Sequence, residues 1–231
     1  MSWRRVKAPR KEPMTTPIDH EVKKIRAQHE FIAGIDEAGW GPIAGPLVAA
    51  CVILPKNIEI PKFIKDSKKL NEARRVEAYT WIYQNAVYIS VAVASVDMFT
   101  KNGASFARDY VFNTLAKDLA FETTTLSSAP FIVVDGDYLP EGMANAAAVV
   151  KADVICPEVS AASIIAKVNR DNAMVVLSSM YPEFNWDLNK GYATPEHLSA
   201  LKKFGATKMH RGNVKKVKEA KPYGNEAPGK D

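Results

Sequence analysis

The chain has 231 residues, with 31 Lys and Arg against 26 Asp and Glu, a formal charge of +5 and 47% hydrophobic residues. That balance excludes a mostly disordered or collagen-like chain and points to one large globular domain with tails. No apolar run nears the roughly 20 residues of a membrane-spanning helix, and Cys51 and Cys156 alone exclude a disulfide framework or a Cys-rich zinc site.

Residues 1–28 hold prolines at 9, 13 and 17, lack sustained periodicity, and read as a flexible basic arm. The opening MSWRRVKAPRKEP has no apolar stretch behind its basic residues, so no secretory signal is expected, and a reducing cytoplasm is the expected setting. Phe31 to Ile35 is a short apolar run that ends in Asp36-Glu37 and a Gly/Pro-rich turn. Leu47 to Leu54 and Val87 to Val96 follow as strands, which suggests a meander. Between them Asn71 is placed to cap a helix over Glu72–Asn85, and Phe106, Tyr110, Leu115 and Leu119 show helical spacing over 103–121.

The pattern then alternates. Phe131 to Val134 is a buried-type strand ending at Asp135-Gly136, and Ala146 to Val150 is another, just before Asp153. Pro157 and Glu158 suit the first turn of a long helix over 158–180, and Thr194-Pro195-Glu196 opens a final one. The order implies an α/β sheet of mixed antiparallel and parallel strands with helices on its faces.

Carboxylates stand at the ends of three apolar runs: Asp36-Glu37, Asp135 and Asp153. Strand ends are where open α/β sheets place their sites. Four carboxylates carry −4, which two Mg²⁺ or Mn²⁺ ions would neutralise, and oxygen-only ligands select those ions over zinc. Taken singly, Asp135-Gly136 reads equally as a turn and Asp153 as a helix-entry acid. Both ends of the chain are basic around an acidic middle, a distribution that suits a metal-dependent nucleic-acid enzyme and equally suits solvated tails. His20, His29, His197 and His210 make no zinc-type spacing, and neither a P-loop, a dinucleotide fingerprint nor a GxSxG elbow occurs.

Gly34-Ile-Asp36-Glu37-Ala-Gly39-Trp40-Gly41-Pro42-Ile-Ala-Gly45-Pro46 closely resembles the opening signature of bacterial ribonuclease HII. The likeness continues through Asp66-Ser67-Lys68-Lys69-Leu70, Val134-Asp135-Gly136, Val149-Val150-Lys151-Ala152-Asp153 and the Ser160 to Asp171 segment. It closes with Lys190-Gly191-Tyr192-Ala-Thr194-Pro-Glu-His197 and His210-Arg211. The resemblance implies a ribonuclease H-like fold, a five-stranded mixed sheet flanked by helices with a C-terminal helical cap. The implied division is a basic arm over 1–28, a catalytic domain over 29–190, a cap over 191–214 and a disordered basic tail over 215–231.

It further implies an endoribonuclease that cuts the RNA strand of RNA–DNA hybrids and excises ribonucleotides embedded in DNA, using two Mg²⁺ or Mn²⁺ ions, as a monomer. By the same likeness Asp36, Glu37, Asp135 and Asp153 are the catalytic, metal-binding carboxylates, with Asp36 touching both ions. Gly39, Trp40 and Gly41 form the turn at the ribose 2′-OH, Tyr192 packs on the sugar, and Ser67, Lys68 and Lys69 contact phosphates. Lys167 and Arg170 support the site or bind the nucleic-acid backbone, and Ser163, one turn earlier, is a candidate packing residue.

Four positions depart from the family pattern: Trp40 for Arg, Ala152 for Gly, Thr100 for Asn, and Gly212-Asn213-Val214 for Arg-Ser-Phe. All leave the carboxylates intact and bear on substrate preference. Trp40 in particular is expected to exchange a phosphate-attracting cation for a flat stacking surface. Two rivals share the acidic cluster or the charge: a junction resolvase or integrase of the same superfold, and a non-catalytic nucleic-acid binding module.

Overall fold

The run ending in Asp36-Glu37 forms β1 (Ile32–Ala38), and the Gly/Pro turn after it returns the chain antiparallel as β2 (Leu47–Ile53). β3 (Tyr88–Ala94) pairs antiparallel with β2, while β4 (Phe131–Asp135) and β5 (Ala146–Val149) run parallel to β1. The sheet order is β3-β2-β1-β4-β5, the expected meander with a parallel extension. The computed structural model describes residues 17–65 and 70–224.

Nine helices are described: α1 (Pro17–Gln28), α2 (Lys62–Lys65), α3 (Glu72–Asn85), α4 (Val96–Glu122), α5 (Ala152–Ile155), α6 (Pro157–Met180), α7 (Trp186–Asn189), α8 (Pro195–Phe204) and α9 (Lys215–Lys218). The caps read from sequence are in place. Asn71 Oδ1 accepts the Arg74 amide at 2.9 Å, and Thr194 Oγ1 accepts that of His197 at 3.3 Å. α4 begins seven residues before the spacing predicts, capped by Ser95, and breaks its helical dihedrals at Gly103, where φ is 88°. That break hides the first turns from a periodicity argument.

Side-chain alternation divides the sheet into two faces. Ala33, Ile35, Leu47, Ala49, Cys51 and Val134 face α4, packing on Phe112, Val111 and Leu115. Ala50 and Val52 face α3 and α6, and Val133 and Val149 face α1, α5 and the start of α6. α6 lies hard against β1: a Cβ on Gly34 would sit 2.2 Å from the backbone of Glu158 and Val159. The end of α6 joins α7, α8 and α9 around a separate core of Met174, Phe184, Trp186 and Leu201.

Two expectations about the ends are corrected. The arm read as flexible over 1–28 is helical from Pro17, because proline at the first helical position starts a helix rather than breaking one. Val22 and Ile25, three apart, bury one face of α1, and Arg26 forks onto the buried Glu158 at 2.7 and 2.8 Å. At the other end, the tail read as disordered from 215 begins as α9, since Val217 fills the cap core and Ala206 bridges to Pro222.

Candidate active site

The sheet register gathers the acids. Ile35 of β1 pairs with Val134 of β4, so Asp36 and Asp135 follow at one level on neighbouring parallel strands. Asp135 pairs with Val149 of β5, and three residues beyond the end of β5 the chain enters α5, where Asp153 lies buried in the first turn. The Asp153 amide donates to Asp135 Oδ1 at 3.3 Å, tying the second and third acidic positions together.

Asp36 and Glu37 are consecutive on a strand and so turn to opposite faces. Asp36 meets α6, where the Ser163 hydroxyl hydrogen-bonds to it, and its Oδ1 accepts the Glu37 amide at 2.8 Å. Glu37 faces α4, where the charge of Arg108 acts on it. Burial drives the Asp36 carboxyl well above its ordinary range, the charges of Glu37 and Asp135 push it further, and the Ser163 and amide hydrogen bonds oppose them. Burial also raises Glu37, against Arg108 and with a further push from Asp135. Among the described residues no three acidic, histidine or cysteine side chains already converge on one ligating point. The donor chemistry nonetheless fits hard divalent cations: every donor is oxygen, and buried, mutually repelling carboxylates are relieved by positive charge.

Beside the acids is an open cleft of about 430 Å³ lined by Glu37, Gly39, Trp40, Gly41, Lys167, Arg170 and Tyr192 among others. It brings together six of the residues expected to meet substrate. Trp40 and Tyr192 are exposed, and a Cβ on Gly41 would lie 3.9 Å from the Tyr192 ring. Lys167 forms an ion pair with Asp171 at 2.8 Å and keeps a third of its side chain open. Ser67, Lys68 and Lys69 lie outside the described residues.

Arg170 is not a surface residue. It is 1% exposed, and its guanidinium donates to the carbonyls of Pro46 (3.1 Å) and Ala44 (3.3 Å). Burial, by excluding a direct contact with nucleic acid, leaves it the supporting role. Gly39 shows why the turn needs glycine: its φ is +101°, and a Cβ there would stand 2.1 Å from Arg170 Nε. A second fully buried arginine, Arg211, donates to the carbonyls of Gly39, Trp40, Pro42, Gly45 and Pro46 at 2.6–3.1 Å. The turn is therefore fastened by its carbonyls, while no acceptor among the described residues takes the N–H groups of Trp40 and Gly41.

The sequence assigns no role to Arg211, leaves that of Ser163 open and singles out neither Arg108 nor Arg75, which also lines the cleft. Only the matching motifs around Ser163 and Arg211 carried a signal for either. Arg108 has none, since its relation to Glu37 exists only through the packing of α4 on the sheet.

Acids at the ends of adjacent parallel strands, in a five-stranded mixed sheet flanked by helices, define a nuclease of ribonuclease H architecture. A family model described as ribonuclease HII matches residues 33–217. The chain is 41% identical over 210 residues to the ribonuclease HII of Ruegeria pomeroyi, covering 88% of this chain and 85% of that one. It is 39% identical over 196 residues to that of Ehrlichia chaffeensis, covering 84% and 90%. Among solved structures it is similar to the ribonuclease H2 of Pyrococcus horikoshii, with TM-score 0.64, 28% identity, and coverage of 82% of this chain and 96% of that one. The chain belongs to the ribonuclease HII family, and is thus a ribonuclease, a hydrolytic endonuclease. No helix among the described residues is long and apolar enough to cross a membrane.

Proposed function

We propose that the chain cuts the RNA strand of RNA–DNA hybrids and the 5′ side of ribonucleotide–deoxyribonucleotide junctions, including single ribonucleotides embedded in DNA. Hydrolysis leaves a 3′-hydroxyl and a 5′-phosphate. The observation that carries this reading is the adjacency of four carboxylates to a glycine turn whose carbonyls are held by a buried arginine, while the Trp40 and Gly41 amides meet no acceptor among the described residues. An all-DNA nuclease has no use for such a turn. A turn whose amides are open to the cleft is suited to a ribose 2′-OH oxygen, which a deoxyribose lacks.

Asp36, Glu37, Asp135 and Asp153 would hold two divalent ions, Mg²⁺ or Mn²⁺. Such a pair supplies a water ionised at neutral pH and charge to stabilise the leaving oxygen. The chain's own groups do the positioning. Ser163 and the Glu37 amide fix the Asp36 carboxylate, and the Asp153 amide fixes that of Asp135. Arg211 fixes the turn at Gly39 and Trp40, Arg170 fixes it further on at Ala44 and Pro46, and Tyr192, beside Gly41, offers its ring to the sugar at the junction. Lys167 and the Ser67-Lys68-Lys69 segment would meet phosphates. The chain acts as a monomer in a reducing cytoplasm, consistent with two buried, free cysteines. Cleavage of a labelled duplex with one ribonucleotide, against an all-DNA control and EDTA, tests the proposal.

A further inference from the structure

α4 brings one cation to the site. Arg108 projects from the α4 side of the sheet, the side to which Glu37 turns, and its Cζ lies 4.8 Å from the Trp40 ring centroid. It lies 4.4 Å from the ring centroid of Tyr138, in the segment following Asp135. Tyr138 is itself anchored, its hydroxyl donating to Asp109 Oδ2 at 3.2 Å. Stacking on rings uses the face of a guanidinium and leaves its N–H edge available. Arg108 Nε is buried without a hydrogen-bond partner, and the charge of the group acts on the Glu37 carboxylate.

An arginine held by two rings beside a carboxylate cluster is placed to offer the edge of its guanidinium to an anion brought by the substrate as well as to Glu37. Planar, forked donors match a phosphate, and a side chain already held in place loses little freedom on binding. Trp40 and Tyr138 are exposed and Arg108 itself is half-buried, so a polymer can reach the group.

We propose that Arg108 binds a backbone phosphate of the nucleic acid at the carboxylate site, with Trp40 and Tyr138 as the rings that position its guanidinium. The proposal rests on the reading of the substrate as nucleic acid. It also gives Trp40 a different meaning from the one expected: the cation that the family pattern puts in the turn enters from α4 instead, and the indole carries it.

Binding of two fluorescent duplexes, one with a single ribonucleotide and one all-DNA, is measured in EDTA across a salt series for the full chain and for Arg108→Met, Arg108→Lys and Tyr138→Leu. Arg108→Met should weaken both duplexes by roughly tenfold, the scale of one charge-assisted hydrogen bond. The slope of log affinity against log salt should become shallower by about 0.9, the increment for one phosphate on a duplex. Arg108→Lys should keep the slope and lose part of the affinity, and Tyr138→Leu should lose affinity with the slope retained. In Mg²⁺, Arg108→Met should raise KM far more than it lowers kcat. An unchanged slope and KM in Arg108→Met, whatever its thermal stability, would make Arg108 a brace for the rings and overturn the proposal, as would the same result in Arg108→Lys and Arg108→Met alike. Because the all-DNA slope needs no cleavage, Arg108 is decided even if the chain fails to cut ribonucleotides, a failure that would instead overturn the proposed function.

Discussion

Arg211 Nη2 donates to the Gly39 carbonyl at 2.6 Å in the interior of the protein, and no acid among the described residues pairs with that guanidinium. Its remaining donors reach four more carbonyls of the same turn, and its flat face lies 3.9 Å over Phe99. Burial, together with the neighbouring charge of Arg170, pushes its pKa down to about 9, so it stays charged at neutral pH. Arg211 thus adds side-chain bonds to the backbone bonds by which Ile43, Ala44 and Gly45 of the turn already meet Gly191 and Met209 of the cap.

Replacing Arg211 with Ala removes its donors from five carbonyls, of which only that of Pro46 keeps a bond from Arg170. We expect a loss of about 3–5 kcal/mol in urea unfolding, the scale for breaking a buried charged network. Arg211→Lys, with fewer donors and no flat face, should recover only part of it. An unfolding midpoint unchanged in Arg211→Ala would show that the turn holds without its fastening.

The carboxylates predict opposite effects on stability and rate. Asp135→Asn keeps shape and removes one negative ligand, so the rate should fall by at least about 10²-fold, the scale for one well-placed electrostatic group. Asp36→Asn should also abolish turnover, yet raise the melting temperature in EDTA, because the native fold holds that acid against burial and like charge. A lower melting temperature for Asp36→Asn in EDTA would contradict the electrostatic account of the cluster.

Much of this was legible in the sequence, and the limits have physical causes. Apolar runs of strand length, acids at their ends and the caps at Asn71 and Thr194 are local signals, and the structure places them as read. Ser163 and Arg108 were not legible as partners of Asp36 and Glu37, because strand alternation assigns each acid to a different helix only once α6 and α4 are packed. Departures from the family pattern that look unrelated in sequence also meet in space. The Gly212 amide donates to Thr100 Oγ1 at 3.0 Å, and a Cβ on Gly212 would lie 2.9 Å from Thr100 Cγ2. Thr100 and the small residue at 212 are one packing solution.

The cap carries a pH dependence. Trp186 Nε1 can only donate, so His197 Nε2 accepts from it at 3.0 Å, and His197 Nδ1–H donates to the Tyr192 carbonyl at 2.8 Å. His210 Nδ1 accepts the Thr207 amide at 3.0 Å, which puts its proton on Nε2, facing His197 Nε2 at 3.1 Å. Both rings are therefore neutral. Burial first, then His197, lowers the His210 pKa to about 3. A base depressed in the fold is protonated more readily when unfolded, so its contribution is complete above about pH 6.5 and is lost as pH falls toward 3. Urea midpoints should drop from pH 7 to 4 more steeply for the wild type than for His210→Asn. Equal slopes would contradict this.

α1 supplies a second buried charge contact. Glu158, 1% exposed in the first turn of α6, is raised by burial, and Arg26 opposes that rise. Arg26→Met should cost about 3 kcal/mol or more at pH 7, because an uncompensated carboxylate stays buried beneath β1. Adding Glu158→Gln to that variant should restore part of the loss. Additive losses in the double variant would mean that the two groups do not depend on each other.

The central claim is that the acids and the turn together recognise and cut at ribose. Its most direct test is a single-turnover assay in Mg²⁺ on a labelled duplex with one embedded ribonucleotide, run beside the same duplex in DNA only. The account predicts one cut, 5′ of the ribonucleotide–deoxyribonucleotide junction, with 3′-hydroxyl and 5′-phosphate ends, abolished by EDTA and absent from the DNA control. Equal cutting of both duplexes, or cutting that survives EDTA, would contradict it.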